Sequence, residues 1–293
     1  MKKVLALILS LTLVFTLAAC GDGDGGHFSE NPDIVGIESG AGIMSTTETA
    51  IEEYDLNMEL LTSSGPAMVS ALSDAIENEE WIVVTGWSPH YKFADYDLKY
   101  LEDPKGIYGD VENIHTIARD DLRDDDPELV EFLENFYMTD DELGELMGDI
   151  ASDEDDTPTI DIARAWMEDN EDVWSAWIPE GIDGEGAEID IAYVNWAEGV
   201  AMTYLVQALL NDEMNYDAST TMADAGPIFS DVAAGNMDFF LDGWLPVTHA
   251  AYEEDYGDDY EDLGYNFEGA RIGLVVPAYV EVESIDELND YLD

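Results

Sequence analysis

The chain of 293 residues has one cysteine, Cys20, so it can close no internal disulfide. Positive charge is scarce: nine Lys and Arg stand against 69 Asp and Glu, a formal net charge of −60. An envelope so acidic repels phosphate backbones, which argues against nucleic acid as a partner. Beyond the first twenty residues no apolar run is long enough to span a bilayer. Gly-x-Ser-x-Gly, His-Glu-x-x-His, a Gly-Lys-Ser/Thr phosphate loop and an Asp-x-Asp-x-Asp-Gly calcium loop are all missing. A secreted hydrolase using His90, His249 and nearby carboxylates is the rival reading from the enzyme class, and it lacks a nucleophile motif. The sequence therefore predicts no enzyme, no cofactor and no metal site.

What the chain does contain is core-forming material. Apolar residues make up 46% of it, with 7 Trp and 15 Tyr, which is enough to fold two lobes rather than remain a disordered polyanion. The dispersed negative charge predicts a halophilic setting, because at about 1 M salt the Debye length shrinks to about 3 Å and like charges stop repelling one another. The first twenty residues, MKKVLALILSLTLVFTLAAC, have the two lysines and apolar run of a secretory signal. Leu17-Ala18-Ala19-Cys20 resembles the bacterial lipobox, which predicts that Cys20 is lipidated and anchors the mature chain to the outer face of the cytoplasmic membrane. Residues 21–32, rich in Gly and Asp, read as a flexible tether.

The remainder says nearly the same thing twice. "DIVGIESGAGIM" reads as strand, Gly-rich turn and helix start, and "IDIAYVNWAEGVAMTYL" repeats that order. "SSGPAMVSALSDAIENEEWIVVTGWSPHY" and "DAGPIFSDVAAGNMDFFLDGWLPVTHAAY" each place Gly-Pro at a helix start and end an apolar strand in Gly-Trp-x-Pro. Alternating strands and helices predict an α/β, two-lobed fold with a mostly parallel sheet in each half. Ligands in such sheets gather at the carboxyl ends of strands, so the four turns would face a cleft between the lobes. The expected division is 33–112 plus 272–293 for lobe 1 and 113–271 for lobe 2. Residues 120–180 read as amphipathic helices packing on lobe 2, with Trp166, Trp174 and Trp177 as core or surface residues rather than ligands.

Trp87 and Trp244 fall at equivalent turns, and Trp196 stands where the first half has Gly40 or Ala41, so three indoles could converge on the cleft. An indole face attracts a cation by about 0.5–2 kcal/mol, and aromatic cages suit quaternary ammonium, which has no N–H to satisfy. Pro89 and Pro246 suit first helical positions, which would put His249 in a first turn where free amides favour an anion. In "SGAGIM", a helix starting near Gly42 and Ile43 offers further amides. His90 is expected to play a structural or supporting role, His115 to pack at the inter-lobe strand, and His27 to lie in the tether. Lys92, Lys99, Lys105, Arg119 and Arg123 cluster between 92 and 123. They are expected to pair locally with Asp95, Asp97, Glu102 and Asp103, with contact to a membrane subunit as the sharper alternative.

From Ile34 to the C-terminus the chain resembles the glycine betaine-binding lipoproteins of osmoprotectant ABC transporters, the OpuAC-like family. The motifs that carry this are "GIESGAGIMS", "TGWSPHYKFADYDLKYLEDPKGIYG", "IHTIAR", "IAYVNW", "DAGP", "GWLPVTHAAY" and "GLVVPAY". The resemblance implies a periplasmic-binding-protein-like (type II) fold and capture of glycine betaine, with proline betaine, for uptake through the transporter's membrane subunit. It implies a prism of Trp87, Trp196 and Trp244 around the trimethylammonium head, with the carboxylate held by the amides of Gly42 and Ile43 and by His249. Tyr91 and Asn195 depart from the family pattern, which leaves choline and carnitine as alternative ligands.

Overall fold

In the computed structural model, which describes residue 28 and residues 32–292, the first half opens with strand β1 (Asp33–Val35), helix α1 (Gly42–Tyr54), β2 (Glu59–Leu61), α2 (Gly65–Glu77) and β3 (Val83–Ser88). β1 pairs in parallel with β2 and β3. Ser64 Oγ accepts the Ala67 N–H at the start of α2, and Pro66 occupies an early position there that needs no amide donor. A short helix α3 (Lys92–Asp95) and strand β4 (Leu98–Tyr100) complete this unit.

β5 (Glu112–Arg119) leads into five helices: α4 (Leu122–Asp125), α5 (Pro127–Asn135), α6 (Asp140–Ala151), α7 (Thr159–Asp169) and α8 (Glu171–Trp174). Asp126 caps α5, and Thr139 with Glu142 forms a capping box on α6. The repeat then begins: β6 (Glu188–Tyr193), α9 (Ala197–Asp212), β7 (Asp217–Met222), α10 (Ala225–Ala233), β8 (Phe239–Leu245) and α11 (Ala250–Tyr256). β6 pairs in parallel with β7 and β8, mirroring β1 with β2 and β3. α9 is buried on most sides, from Ala201 through Leu205 and Val206 to Leu210, because α6 and α7 cover the face that its sheet does not.

The two units are joined by β9 (Tyr260–Pro277), an 18-residue strand. Its first part pairs antiparallel with β5, from Arg119 opposite Tyr260 to Glu112 opposite Ala270. Its last part pairs antiparallel with β3, from Ser88 opposite Arg271 to Val84 opposite Val275, and with β4. The strand order is β2-β1-β3-β9-β5-β8-β6-β7, with β4 also on β9. A 3₁₀ helix, Ile285–Tyr291, follows on the first unit, where Ile285 donates to the carbonyl of Glu102. The result is a two-lobed α/β fold in which β9 pairs with strands of both units.

Several expectations need correction. Neither Pro89 nor Pro246 opens a helix: Ser88 is the last residue of β3, α3 begins at Lys92, and α11 begins at Ala250. The turn after Pro246 is held instead by Glu112, whose carboxylate accepts the N–H groups of Val247 at 2.9 Å and Thr248 at 3.0 Å. His115 packs on β5 against β9 as expected, edge-on to Tyr265, and its Nδ1 lies 2.9 Å from Asp262. The basic cluster uses other partners than those expected. Lys99 pairs with Glu283, Arg119 with Asp121, Asp125 and Asp238, and Arg123 with Glu134 and Glu261. Lys105 reaches the Glu53 carbonyl, and Lys92 is buried. Lys99, Arg119 and Arg123 each reach at least one acid brought near by the fold (Glu283, Asp238 and Glu261), while Lys105 and Lys92 turn to backbone carbonyls. The expected signal segment, Cys20, His27 and nearly all of the tether lie outside the described residues. No helix among the described residues is long and apolar enough to cross a membrane.

Candidate ligand-binding site

The strand ends of the two lobes border a shared pocket lined by Trp87, Trp196, Trp244, Gly42, Ile43 and His249. Trp87 reaches it from the penultimate position of β3, Trp196 from the residue that precedes α9, and Trp244 from the penultimate position of β8. Gly42 and Ile43, the first two residues of α1, line it with His249. All six residues singled out from the sequence therefore border one cavity. Trp166, Trp174 and Trp177 lie elsewhere, on and beside the helices over lobe 2.

Both lobes meet closely here. A Cβ on Gly42 would stand 2.1 Å from the Thr248 carbonyl oxygen of the opposite lobe, so this contact requires glycine. Tyr252 donates its hydroxyl hydrogen to the Gly40 carbonyl at 2.7 Å across the same seam. As first-turn amides of α1, Gly42 and Ile43 have no carbonyl upstream within the helix to bond.

His249 is fully buried. Its backbone N–H donates to the Trp244 carbonyl at 2.9 Å, and its Nδ1 accepts the Trp244 N–H at 2.9 Å. An Nδ1 that accepts must be unprotonated, so the neutral ring carries its hydrogen on Nε2. Nε2 is buried and has no hydrogen-bond partner among the described residues. Burial lowers the His249 pKa to about 3, which keeps the ring neutral across the physiological range. The site thus holds a fixed, uncharged N–H donor beside two helix-start amides.

The other end of the pocket is built from indoles and acids. The Trp87 indole N–H donates to Glu198 at 2.8 Å and that of Trp244 to Asp242 at 2.8 Å, while that of Trp196 donates to Glu38. Glu198 and Asp242 are buried, and each keeps one oxygen, Oε1 and Oδ2, without a partner among the described residues. Burial raises the Glu198 pKa to about 7 and raises that of Asp242 well above the carboxylate range, with Glu198 and Asp242 also opposing each other's charge at Asp242. Lys92 lies behind Trp87, its Nζ 4.1 Å from the ring centroid and 3.1 Å from the Trp87 carbonyl oxygen. Burial pushes its ammonium pKa down, offset in part by Glu198. A pocket walled by indoles over buried acids favours a cation at that end.

The four residues Glu38, Glu198, Asp242 and Lys92 escape sequence reasoning. One signal was present for Asp242, which precedes Trp244 by two positions and so shares its side of β8. A second space, of about 550 Å³, adjoins the pocket through Trp87 and Trp196 and is bordered by His90, Tyr91 and Asn195. Among the described residues no group of three or more His, Cys, Asp or Glu has the arrangement of a metal site.

Comparisons with known proteins point the same way as the pocket. The family described as the substrate binding domain of the ABC-type glycine betaine transport system, OpuAC, matches residues 25–169 and 187–293. The glycine betaine/carnitine transport binding protein GbuC of Listeria monocytogenes serotype 1/2a (strain 10403S) is 38% identical over 301 residues, covering 98% of each chain. Lactococcal OpuAC, solved in its closed-liganded conformation with glycine betaine, is 36% identical with a TM-score of 0.47, over 53% of this chain and 63% of that one. The glycine betaine/L-proline-binding protein ProX from Borrelia burgdorferi is 35% identical with a TM-score of 0.48, over 50% of this chain and 56% of that one. Both solved chains are spanned over less than two thirds of their own length.

Proposed function

The chain belongs to the substrate-binding family of ABC-type glycine betaine transport systems, and from that premise we propose that it captures glycine betaine between its lobes, with the residues of the pocket in stated roles. It is a solute-binding transport protein, not an enzyme. In this reading Trp87, Trp196 and Trp244 enclose the trimethylammonium head. The Gly42 and Ile43 amides and the Nε2–H of His249 receive the carboxylate.

One observation carries the proposal: the buried, unpartnered Nε2–H of His249 shares a cavity with three indoles and the first amides of α1. A buried donor left unpaired costs about 1–3 kcal/mol, and an incoming carboxylate removes that cost. A quaternary head leaves no N–H unsatisfied among the rings. Primary ammonium would surrender its hydrogen bonds to water and find no equivalents among ring faces.

The printed name of the Listeria relative includes carnitine. Carnitine carries the same quaternary head and a carboxylate, which makes it the second reading. The lobe limits 33–112 plus 272–293 and 113–271 belong to this proposal, supported by the change of partners along β9 after Ala270. So do anchoring through a lipid on Cys20, delivery to the membrane subunit of the transporter, a role in osmoprotection and a halophilic setting. Titration calorimetry with glycine betaine, carnitine, choline and glycine tests the ligand assignment. Tight binding of a betaine with weak binding of choline and glycine is expected, and glycine binding as well as glycine betaine would overturn the cage.

A further inference from the structure

The three indole N–H groups are not partnered alike. Trp244 and its acceptor Asp242 stand two residues apart on one strand, so their bond exists whatever the lobes do. Trp87 belongs to β3 in the first lobe, and its acceptor Glu198 is the second residue of α9 in the other. Trp196 precedes α9, and its acceptor Glu38 lies in the turn between β1 and α1 of the first lobe. Each lobe therefore lends an indole to the cavity and a carboxylate to the other lobe's indole.

We infer that Glu38 and Glu198 are positioning residues that form a reciprocal clasp across the cleft, fixing two cage walls and latching the closed lobes with the same two bonds. This rests on the proposed ligand-bearing role of the three tryptophans. The indole nitrogen is a donor only and is the sole polar atom of its side chain, so in a closed, dry cavity it needs one acceptor in one direction, which fixes the ring. When the lobes part, both N–H groups and both carboxylates can bond water, and each of the two rings loses the acceptor that fixes its indole N–H, keeping only packing contacts within its own lobe. Closure thus completes the cage and the clasp in one step, and ligand escape requires both bonds to break. The clasp acts on how long the ligand stays, not on how fast it arrives.

The test follows glycine betaine association and dissociation by stopped-flow tryptophan fluorescence in the wild type, Glu38→Leu, Glu38→Gln, Glu198→Leu and Glu198→Gln. Each Leu variant should release ligand roughly tenfold faster or more, as expected for a lost buried hydrogen bond to a charged group, with the association rate little changed. Each Gln variant keeps a carbonyl acceptor and should recover most of the lost lifetime. Wild-type dissociation rates in both Leu variants, or Gln variants no better than Leu, would overturn the clasp. If Glu198→Leu fails to fold, Glu38→Leu decides, since Glu38 lies in a turn and is only half-buried. A wild-type protein indifferent to glycine betaine would instead overturn the ligand reading. The clasp is then judged on the ligand-free protein by small-angle scattering: it predicts a larger radius for Glu38→Leu than for the wild type, and equal radii would refute it.

Discussion

The two Gly-Trp-x-Pro turns, one in each lobe, begin alike and end differently. In the first, His90 follows Trp87 by three residues; in the second, His249 follows Trp244 by five. In both, the histidine Nδ1 is used up by a backbone amide, from Lys92 at 3.1 Å and from Trp244 at 2.9 Å. The two extra residues, Val247 and Thr248, have their amides tied to Glu112, and they return His249 to the backbone of Trp244 with its ring stacked on Trp196 and lining the cavity. His90 has no such loop. It sits edge-on to Trp87 at 4.7 Å and borders the adjoining space instead. Of the two similar turns, the one with the two-residue insertion brings its histidine to the cavity between the tryptophans, and the other does not.

That contrast is broken most severely at the glycines. Gly42→Ala would drive a methyl group into the Thr248 backbone of the opposite lobe and should abolish measurable binding while the ligand-free melting temperature stays near that of the wild type. At Gly65, the first residue of α2, the nearest atoms to an added methyl, from Asn195 and Trp87, lie at 3.4 and 3.9 Å, so Gly65→Ala should bind nearly normally. Calorimetry on the pair checks both; equal losses would mean that the lobes do not close as described.

The histidines sharpen the comparison. His249→Ala should weaken glycine betaine binding by about 1–3 kcal/mol, the usual cost of a lost hydrogen bond to a charged group, and Trp244→Ala by about the same through loss of a cation–π wall. His90→Ala should cost less than either, and a larger loss there would reverse the assignment of the two turns.

Acidity gives a smaller effect with a definite sign. Burial raises the Glu198 pKa to about 7, and Lys92, Asp242 and Glu38 are its charged or titratable neighbours. A cation entering the pocket favours the ionised form, so affinity should rise as pH increases through 7 and fall below it, by at most about tenfold per pH unit for one linked proton. His249, with its pKa near 3, stays neutral through that range and contributes nothing to the slope. Calorimetry at several pH values, compared with Glu198→Gln, reads this directly; the variant should be flat, and a wild-type profile just as flat would remove Glu198 from the cation's surroundings.

The smallest effect per residue is also the most widely distributed. With a formal charge of −60, melting temperature should climb as salt is raised toward about 1 M and the Debye length shortens to about 3 Å. A melting temperature indifferent to salt would contradict the halophilic reading.

The duplicated strand, turn and helix order was legible because turn chemistry and apolar alternation are local. The same locality placed Gly42 and Ile43 at a helix start and the three tryptophans at or just after strand ends, which pointed to one cavity. The acceptors were not legible. In a chain with 69 acidic residues, Glu38, Glu198 and Asp242 look like any solvated carboxylate until the fold buries two of them against indoles. Lys92 was misread for the complementary reason: among so many acids a lysine suggests a surface ion pair, yet it is fully buried behind Trp87. The turns after Pro89 and Pro246 were misread as helix starts because proline at a first helical position and proline in a tight turn leave the same sequence mark. The carboxylate of Glu112 that holds the second turn comes from 135 residues away.

The account rests on a single small zwitterion meeting indoles at one end and neutral donors at the other. Its most direct test is one calorimetric series on the wild-type protein with glycine betaine, choline and glycine. Tight binding of the first, with choline weakened for want of a carboxylate and glycine weakened for want of its methyl groups, is the predicted result. Equal affinity for all three would contradict it.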